Sequence, residues 1–393
     1  MAELLPRRRP DRRRPFLAIY LAAHQWDEQH VGLALTVGGI AGIITQTPAG
    51  DLVDRSHSKR GLISAGILTL AICALLMAVH PSWWPVLSAQ ALIGATSGIF
   101  APAICAISLG LVGRKAFDRR QGRNQTFNSA GNVVAAVSMG LVAYYVSNRA
   151  IFFLVGLLAI PALLMLRAIA PGEIDNDTAR GANDGQGHAP PGGVMSLFTS
   201  RPLVIFLICS VMFHFANAAM LPLLGQMLAK GQGRSSMMFM AACVITTQLV
   251  VVALSAWSGR KAGTWGRKPL LLLAFGALPV RGALYTIAHG TIPLVAIQLL
   301  DGVAAAIFGV VSVLVVVDLT RGSGRFNLTL GAISTAVGIG AACSQFIAGS
   351  VVHHFGYNAG FLFLAGIAAI GFLILLCFMP ETSATAPHGK RAA

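Results

Sequence analysis

The sequence predicts an all-α, polytopic membrane protein, and three observations predict it. Hydrophobic residues make up 55% of the 393 and charged residues only 11%, about half the share of charge usual in a soluble chain. Apolar runs of about 19 to 28 residues follow one another from Val31 onward, each long enough to cross a bilayer with some tilt. The net charge of +15 sits in short basic clusters between those runs, which reads as membrane topology and excludes a nucleic-acid partner.

The chain opens on a basic tail, 1–15, with Arg7, Arg8, Arg9, Arg12, Arg13 and Arg14. A short apolar segment, Phe16–Ala23, ends at the polar stretch His24–His30; about eleven helical residues rise roughly 16 Å, too little for a core of about 30 Å. Arg13-Arg14-Pro15-Phe16-Leu17 also has the look of a twin-arginine export signal, which a polytopic remainder argues against. Long spans are expected near 31–52, 61–79, 84–111, 124–147, 150–169, 202–228, 236–258, 269–288, 292–318, 329–352 and 357–379. With the short segment counted first, these make twelve segments and eleven full spans. The hydrophilic interval 171–200 carries Glu173, Asp175, Asp177, Asp184, Pro190 and Pro191 among glycines and reads as a flexible linker. It divides an N-terminal bundle, 16–170, from a C-terminal bundle, 201–380, ahead of a tail, 381–393.

Alternate loops carry the basic residues: Arg55, Lys59 and Arg60; Arg114, Lys115, Arg119, Arg120 and Arg123; Arg260, Lys261, Arg267 and Lys268; Arg321 and Arg325; then Lys390 and Arg391. The opposite loops hold Arg149, Lys230 and Arg234. The asymmetry predicts that both termini and the linker are cytoplasmic. All six cysteines lie in apolar runs without a C-x-x-C pair and read as buried small hydrophobes, not metal ligands or disulfides. No phosphate-binding G-x-x-x-x-G-K-[ST] is present, so an ATP-driven machine is not expected. Nor is an enzyme, a cofactor or a metal.

The two halves repeat. Gly50 corresponds to Gly259, an offset of 209. Gln90-Ala-Leu-Ile-Gly94 matches Gln298-Leu-Leu-Asp-Gly302, Ile99-Phe100 matches Ile307-Phe308, and Gly156-Leu-Leu-Ala-Ile160 echoes Gly366-Ile-Ala-Ala-Ile370 at nearly the same spacing. An even number of segments in each half makes the copies parallel, related by an axis along the membrane normal.

Twelve segments as six plus six, a central loop and a G-x-L-x-D-[RK]-x-G-[RK]-[RK] turn after segment 2 resemble the major facilitator superfamily, over about Phe16 to Glu381. In the turn Gly50, Leu52, Asp54, Arg55 and Lys59 fit, followed by Arg60; His57 stands for a glycine and Ser58 for a basic residue. In the second copy Gly259, Gly266, Arg267 and Lys268 fit, while Gly263 replaces the acid. Gly50 lets another helix approach, and Asp54 suits a helix N-terminus, where a carboxylate gains roughly 0.3–1 kcal/mol. The resemblance implies that Asp54 latches the two halves on the cytoplasmic side; the alternative is that Arg55, Lys59 and Arg60 set topology alone. With an acid in one copy only, that latch is expected to be one-sided. The family often has an arginine where segment 4 has Gln90, and its drug–proton antiporters carry a Gly-Pro pair that segment 5 lacks. Both departures weigh against a drug–proton exchanger.

Ionisable residues within spans mark partners or aqueous cavities. Arg281 lies roughly 18 Å into segment 9 and Asp301 roughly 14 Å into segment 10 from the opposite side, so the two reach similar depth and are able to pair. A packing salt bridge and a coupling or substrate role both remain open; the resemblance, which makes segment 10 cavity-lining, favours Asp301. Gln125, Asn128 and Asn132 share one face of segment 5, and His214 and Asn217 one face of segment 7, near Pro222. Interhelical hydrogen bonds are the plainer reading and a central solute site the sharper one. His214 is also a candidate proton carrier. Gln248 and Gln345 read as packing hydrogen bonds.

The expected function is a secondary transporter that moves a small solute by alternating access, with protons as a candidate coupling ion, as a monomer in a bacterial inner membrane. The alternative is a non-transporting membrane protein or the defective product of a truncated gene. It arises because the counterpart of segment 7 would begin near position −7, upstream of Met1.

Overall fold

A computed structural model describes residues 17, 20, 21, 24, 26–182, 200–232, 235–288 and 290–383. The basic N-terminal tail, most of the short first segment, linker residues 183–199 with Asp184, Pro190 and Pro191, Arg234, and residues 384–393 with Lys390 and Arg391 lie outside them. Among the described residues there is no strand, and nine helices are long and apolar enough to cross a membrane.

The helices are α1 (Glu28–Arg55), α2 (Lys59–Val79), α3 (Trp83–Tyr145), α4 (Ala150–Arg167), the single turn α5 (Asn176–Ala179), α6 (Arg201–Ala218), α7 (Met220–Gln232), α8 (Ser235–Trp265), α9 (Arg267–Ile287), α10 (Thr291–Leu319) and α11 (Phe326–Phe378). Two of these runs each hold two of the expected segments: segments 4 and 5 lie within α3, and segments 11 and 12 within α11. Each is broken at a single glycine of positive φ, Gly113 (φ 66°) and Gly356 (φ 83°). A residue without Cβ adopts that conformation freely, so the chain changes direction in one residue. The basic stretch expected as a loop, Arg114 to Arg123, is helical. At about 1.5 Å per residue each of these helices exceeds twice the roughly 30 Å of hydrocarbon, leaving room for two crossings.

Segment 7 divides at Ala219 into α6 and α7. Pro222 has no N–H to offer the carbonyl of Ala218 four residues earlier. Gln345 fills the vacancy, its Nε2 donating to Ala218 O at 2.8 Å. That is the packing role expected of Gln345.

The described part of the linker is ordered, not the flexible segment expected. The stretch to residue 182 is a packed strap made of a 3₁₀ turn, Pro171–Glu173, and α5. Asp175 caps α5, accepting from the backbone N–H of Asp177 (2.9 Å) and Thr178 (3.2 Å). Ile174 and Ala179 are buried, an apolar content that composition alone conceals.

The chain forms two compact units. The first takes residues 1–42, 64–97 and 135–168. Its core joins Tyr20, Leu21, Val31, Ala34, Cys73, Met77, Val86 and Phe152. Tyr20 Oη donates to the carbonyls of Met77 (3.0 Å) and Ala78 (3.1 Å), so the described part of the short first segment is fastened into this unit. The second takes residues 43–63, 98–134 and 169–393. Its largest core runs from Cys105, Leu109 and Phe117 of α3 through Phe206 and Phe213 of α6 to Leu271, Phe275, Ile307 and Phe326. Residues from both sides of the linker thus share one core inside this unit.

Candidate functional site

Both groups of candidate residues with a defined geometry belong to the second unit. The first is a buried polar network. Helices α9 and α10 run consecutively, and the helical repeat sets Tyr285 one turn beyond Arg281 and Gln298 one turn before Asp301. Arg281 is 1% exposed. Its Nη1 donates to Asp301 Oδ1 at 2.7 Å and also to Asn217 Oδ1 of α6. Its Nε donates to Tyr285 Oη at 3.0 Å, and Nη2 donates to Gln298 Oε1 at 3.2 Å. Gln298 Nε2 donates to Tyr285 Oη at 2.5 Å, and Thr247 of α8 gives its hydroxyl to Asp301 Oδ2 at 3.2 Å. A buried charge requires such company: an ion pair stripped of one partner costs about 3–5 kcal/mol.

The sequence argument placed Arg281 and Asp301 at matching depth, and the structure brings them together with Asn217. It did not name Tyr285, Gln298 or Thr247 as site residues. The i+4 spacing of Tyr285 from Arg281 and the i−3 spacing of Gln298 from Asp301 were the available signals. His214 stands apart from the network. Its Nδ1 faces Ser210 O at 3.1 Å, and its ring meets Phe213 and Phe308. The segment 5 stripe also stays outside: Asn128 and Asn132 are exposed and Gln125 lies beside Gly309 of α10. Gln248 Oε1 is buried with no hydrogen-bond partner.

The second group surrounds the two basic turns. Asp54, 3% exposed, stands at the end of α1 and caps a different helix. Its Oδ1 accepts from the N–H (3.1 Å) and Nδ2 (2.8 Å) of Asn327, and Oδ2 accepts from the N–H of Leu328 at 2.7 Å. These are unpaired donors of the first turn of α11, so the carboxylate meets the positive end of that helix. Gly50 makes the approach feasible, because a Cβ there would collide with the Asn327 carbonyl. Lys59, 2% exposed, donates its ammonium to Ser56 O and Asn176 Oδ1, both at 2.9 Å. Arg55 pairs with Asp51 at 2.8 Å on the surface, and Arg60 is partly exposed.

The strap joins the same cluster. Asn327 Nδ2 also donates to Ala179 O (3.1 Å), while Phe326 N–H reaches Arg180 O (3.2 Å) and Gly322 N–H reaches Gly181 O (2.8 Å). Outside the spans, the Thr178 hydroxyl (2.6 Å) and the capped N–H groups hold the Asp175 carboxyl below the usual carboxylate range.

The second turn has its acids after all, drawn from elsewhere in the chain. Arg267 donates from Nη1 and Nη2 to Asp118 (2.7 and 3.1 Å) and from Nε to Asp318 (2.9 Å). Glu381 caps α9 through the N–H groups of Arg267 (2.8 Å) and Lys268 (3.0 Å). Lys268 Nζ donates to Leu376 O at 2.8 Å. The motif itself lacks an acid in this copy, and Asp118, Asp318 and Glu381 supply it from outside the motif. Gly263 does replace the acid of the first copy, yet a Cβ on it would lie 3.5 Å from Asp118 Oδ2.

The repeat accounts for this exchange. Gly50 approaches Asn327, and Gly259 approaches Asp118, where a Cβ would lie 2.5 Å from the carbonyl oxygen. Both pairs are offset by 209, as are Gln46 against Gly331 and Ser255 against Gly122. In one copy the acid is on the turn (Asp54) and the neutral residue opposite (Asn327); in the other the acid is opposite (Asp118) and the turn has Gly263. Once the structure pairs Asn327 with Asp54, the 209 offset leads from Asn327 to Asp118.

Two overlapping stretches, residues 14–288 and 249–393, match the Major Facilitator Superfamily. The chain is 44% identical over 371 residues to an uncharacterized MFS-type transporter of Mycobacterium tuberculosis, covering 94% of this chain and 89% of that one. Among solved structures it is similar to the E. coli fucose:proton symporter FucP, with a TM-score of 0.74 and 16% identity over 93% of this chain and 96% of that one. It is also similar to the proton:xylose symporter XylE bound to 6-bromo-6-deoxy-D-glucose, with a TM-score of 0.71 and 15% identity over 93% and 90%. At those identities the two structures show a shared fold.

Proposed function

The chain belongs to the major facilitator superfamily, and from that membership we propose that it drives a small solute across the membrane by proton coupling, with Asp301 as the proton carrier. It is a multi-pass membrane transporter, not an enzyme. The observation that carries the proton reading is the buried Arg281–Asp301 pair at 2.7 Å. A carboxylate within a span is costly unless paired, and taking a proton would release it from the arginine and let α9 and α10 repack.

The bodies that move are the two bundles, 16–170 and 201–380, rocking about a midplane site. The contacts of Asp54 with the start of α11, and of Arg267 with Asp118, support closure at the end that carries the basic turns. Both must break for the solute to leave on that side. The positive-inside asymmetry supports assigning that end, with both termini, to the cytoplasm of a bacterial inner membrane. The chain is assigned as a monomer from the family resemblance, and as free of nucleic acid because its basic residues sit in short clusters between apolar runs. Asn217, Asn128, Asn132, Gln125 and His214 are the candidates for the solute path; Asn217 is the one tied to Asp301 through Arg281.

Fucose and xylose, carried by the similar transporters, head a panel of monosaccharides and organic acids for uptake by proteoliposomes holding a pH-sensitive dye. The expected result is solute-dependent proton movement that is lost in Asp301→Asn, while solute exchange at equal pH persists. Proton movement unchanged in that variant would sink the assignment.

A further inference from the structure

We propose that Tyr285 and Gln298 are positioning residues for the proton-carrying step: they hold Arg281 to a single-point contact with Asp301 and so keep the second carboxylate oxygen open to a proton. This rests on Asp301 being the proton carrier.

An arginine beside a carboxylate commonly donates two parallel N–H···O bonds. Arg281 does not. Only Nη1 meets Asp301, at Oδ1 and 2.7 Å. Nε is taken by Tyr285 Oη (3.0 Å) and Nη2 by Gln298 Oε1 (3.2 Å). Gln298 Nε2 donates to the same phenol oxygen at 2.5 Å, closing a ring of three side chains in which Arg281 holds the one charge. Neutral acceptors therefore occupy two edges of the guanidinium. Asp301 Oδ2 is left with the Thr247 hydroxyl at 3.2 Å, a neutral donor.

The difference bears directly on proton uptake. A fork-to-fork pair would engage both oxygens and hold the carboxylate in its charged form; a single-point contact leaves one oxygen that accepts a proton without first expelling a cation. The ring is locked by packing. Tyr285 and Gln298 are buried, and the Tyr285 ring lies against Phe361 with centroids 5.0 Å apart. Arg281 itself sits over the Tyr285 ring, 5.5 Å from its centroid.

The other groups facing the carboxylate leave this arrangement in control. Helix α8 presents Cys243 and Thr247. Helix α6 presents Asn217 through Arg281, while His214 lies against Phe308 farther along α10. Helix α11 has no Asp, Glu, Lys or Arg, and its His353 and His354 are exposed. The titratable neighbours are thus Arg281, Tyr285 and Cys243, and among the described residues Arg281 is the cation.

The test uses the proton as its probe. Purified full-length protein is titrated with pH while the carboxyl C=O stretch is followed by infrared difference spectroscopy, and Asp301→Asn identifies the band. Gln298→Met frees Nη2, which forks with Nη1 onto both oxygens of Asp301; Tyr285→Phe frees Nε and lets the guanidinium turn its Nε/Nη2 edge to the carboxylate. Each is expected to move the band's midpoint to lower pH, by roughly tenfold in proton concentration. Tyr285→Phe retains the ring packing, and either variant suffices if the other fails to fold. A midpoint unmoved or raised in the folded variants, with the band present, overturns the positioning role and leaves Asp301 as carrier. If Asp301→Asn removes no titrating band, the carrier reading fails and this proposal falls with it.

Discussion

Removing Asp301 leaves Arg281 charged and buried without its counter-ion. Asp301→Ala is expected to destabilise the protein by about 3–5 kcal/mol, read as a lower unfolding midpoint in detergent. Replacing both partners, Arg281→Met with Asp301→Leu, should recover most of that loss while abolishing proton movement. If the double variant unfolds as early as the single one, the pair is not the source of the penalty. Gly50 is sensitive for a different reason. Gly50→Ala sets a methyl against the Asn327 carbonyl, and the expected outcome is a turn that no longer reaches α11. A single cysteine at Thr47, normally hydrogen-bonded to Thr335 at 2.8 Å, should then react faster with a maleimide. The pairing of Arg281 with Asp301 was legible from depth alone. Their ring partners were not, because hydrogen bonds to a phenol and an amide leave no mark on apolar periodicity.

The strap is the element that composition misread. Pro, Gly and acidic residues argue for a loose connection, and its order comes from two buried side chains, Ile174 and Ala179, and from carbonyls offered to the turn before α11. Asp175→Ala removes the cap of α5 and should cost about 1 kcal/mol locally, seen as faster protease nicking between residues 171 and 182. The same cap predicts a pH effect. The folded Asp175 carboxyl lies below its unfolded value. Its stabilisation is therefore present above the unfolded value of about 3.9 and is lost as pH falls through the folded one. Nicking of the wild type should rise on acidification through that window, and Asp175→Ala should show no such rise. Helix breaks follow the same logic. Gly113 and Gly356 are visible as glycines, but their positive φ appears only when the flanking helices are packed. Segment 7 reads in the sequence as one span, 202–228, so its division at Ala219 and the donor that Gln345 supplies come only from the structure.

Under the proposed rocking of the two bundles, closure rests on the paired contacts at the end bearing the basic turns. Linking Thr47→Cys to Thr335→Cys by oxidation should stop transport, and reduction should restore it. Transport surviving a complete cross-link would show that α1 and α11 need not part. Arg267→Ala releases Asp118 and Asp318 together, leaving two acids without their cation, and, like Asp54→Ala, should raise accessibility at Thr47→Cys. Equal effects from the two variants would mark the two turns as halves of one lock.

By itself the sequence determined the membrane class, the two-fold duplication, the alternation of basic stretches and the matching positions of Arg281 and Asp301 on consecutive helices. All of these follow from one-dimensional periodicity and from the cost of placing charge in hydrocarbon. Only the tertiary structure decided which acid serves the second turn, because Asp118 and Arg267 lie 149 positions apart. It likewise decided that Arg281 meets Asp301 with one edge of its guanidinium. Side-chain direction and competing hydrogen bonds settle such choices, and neither is written in residue order.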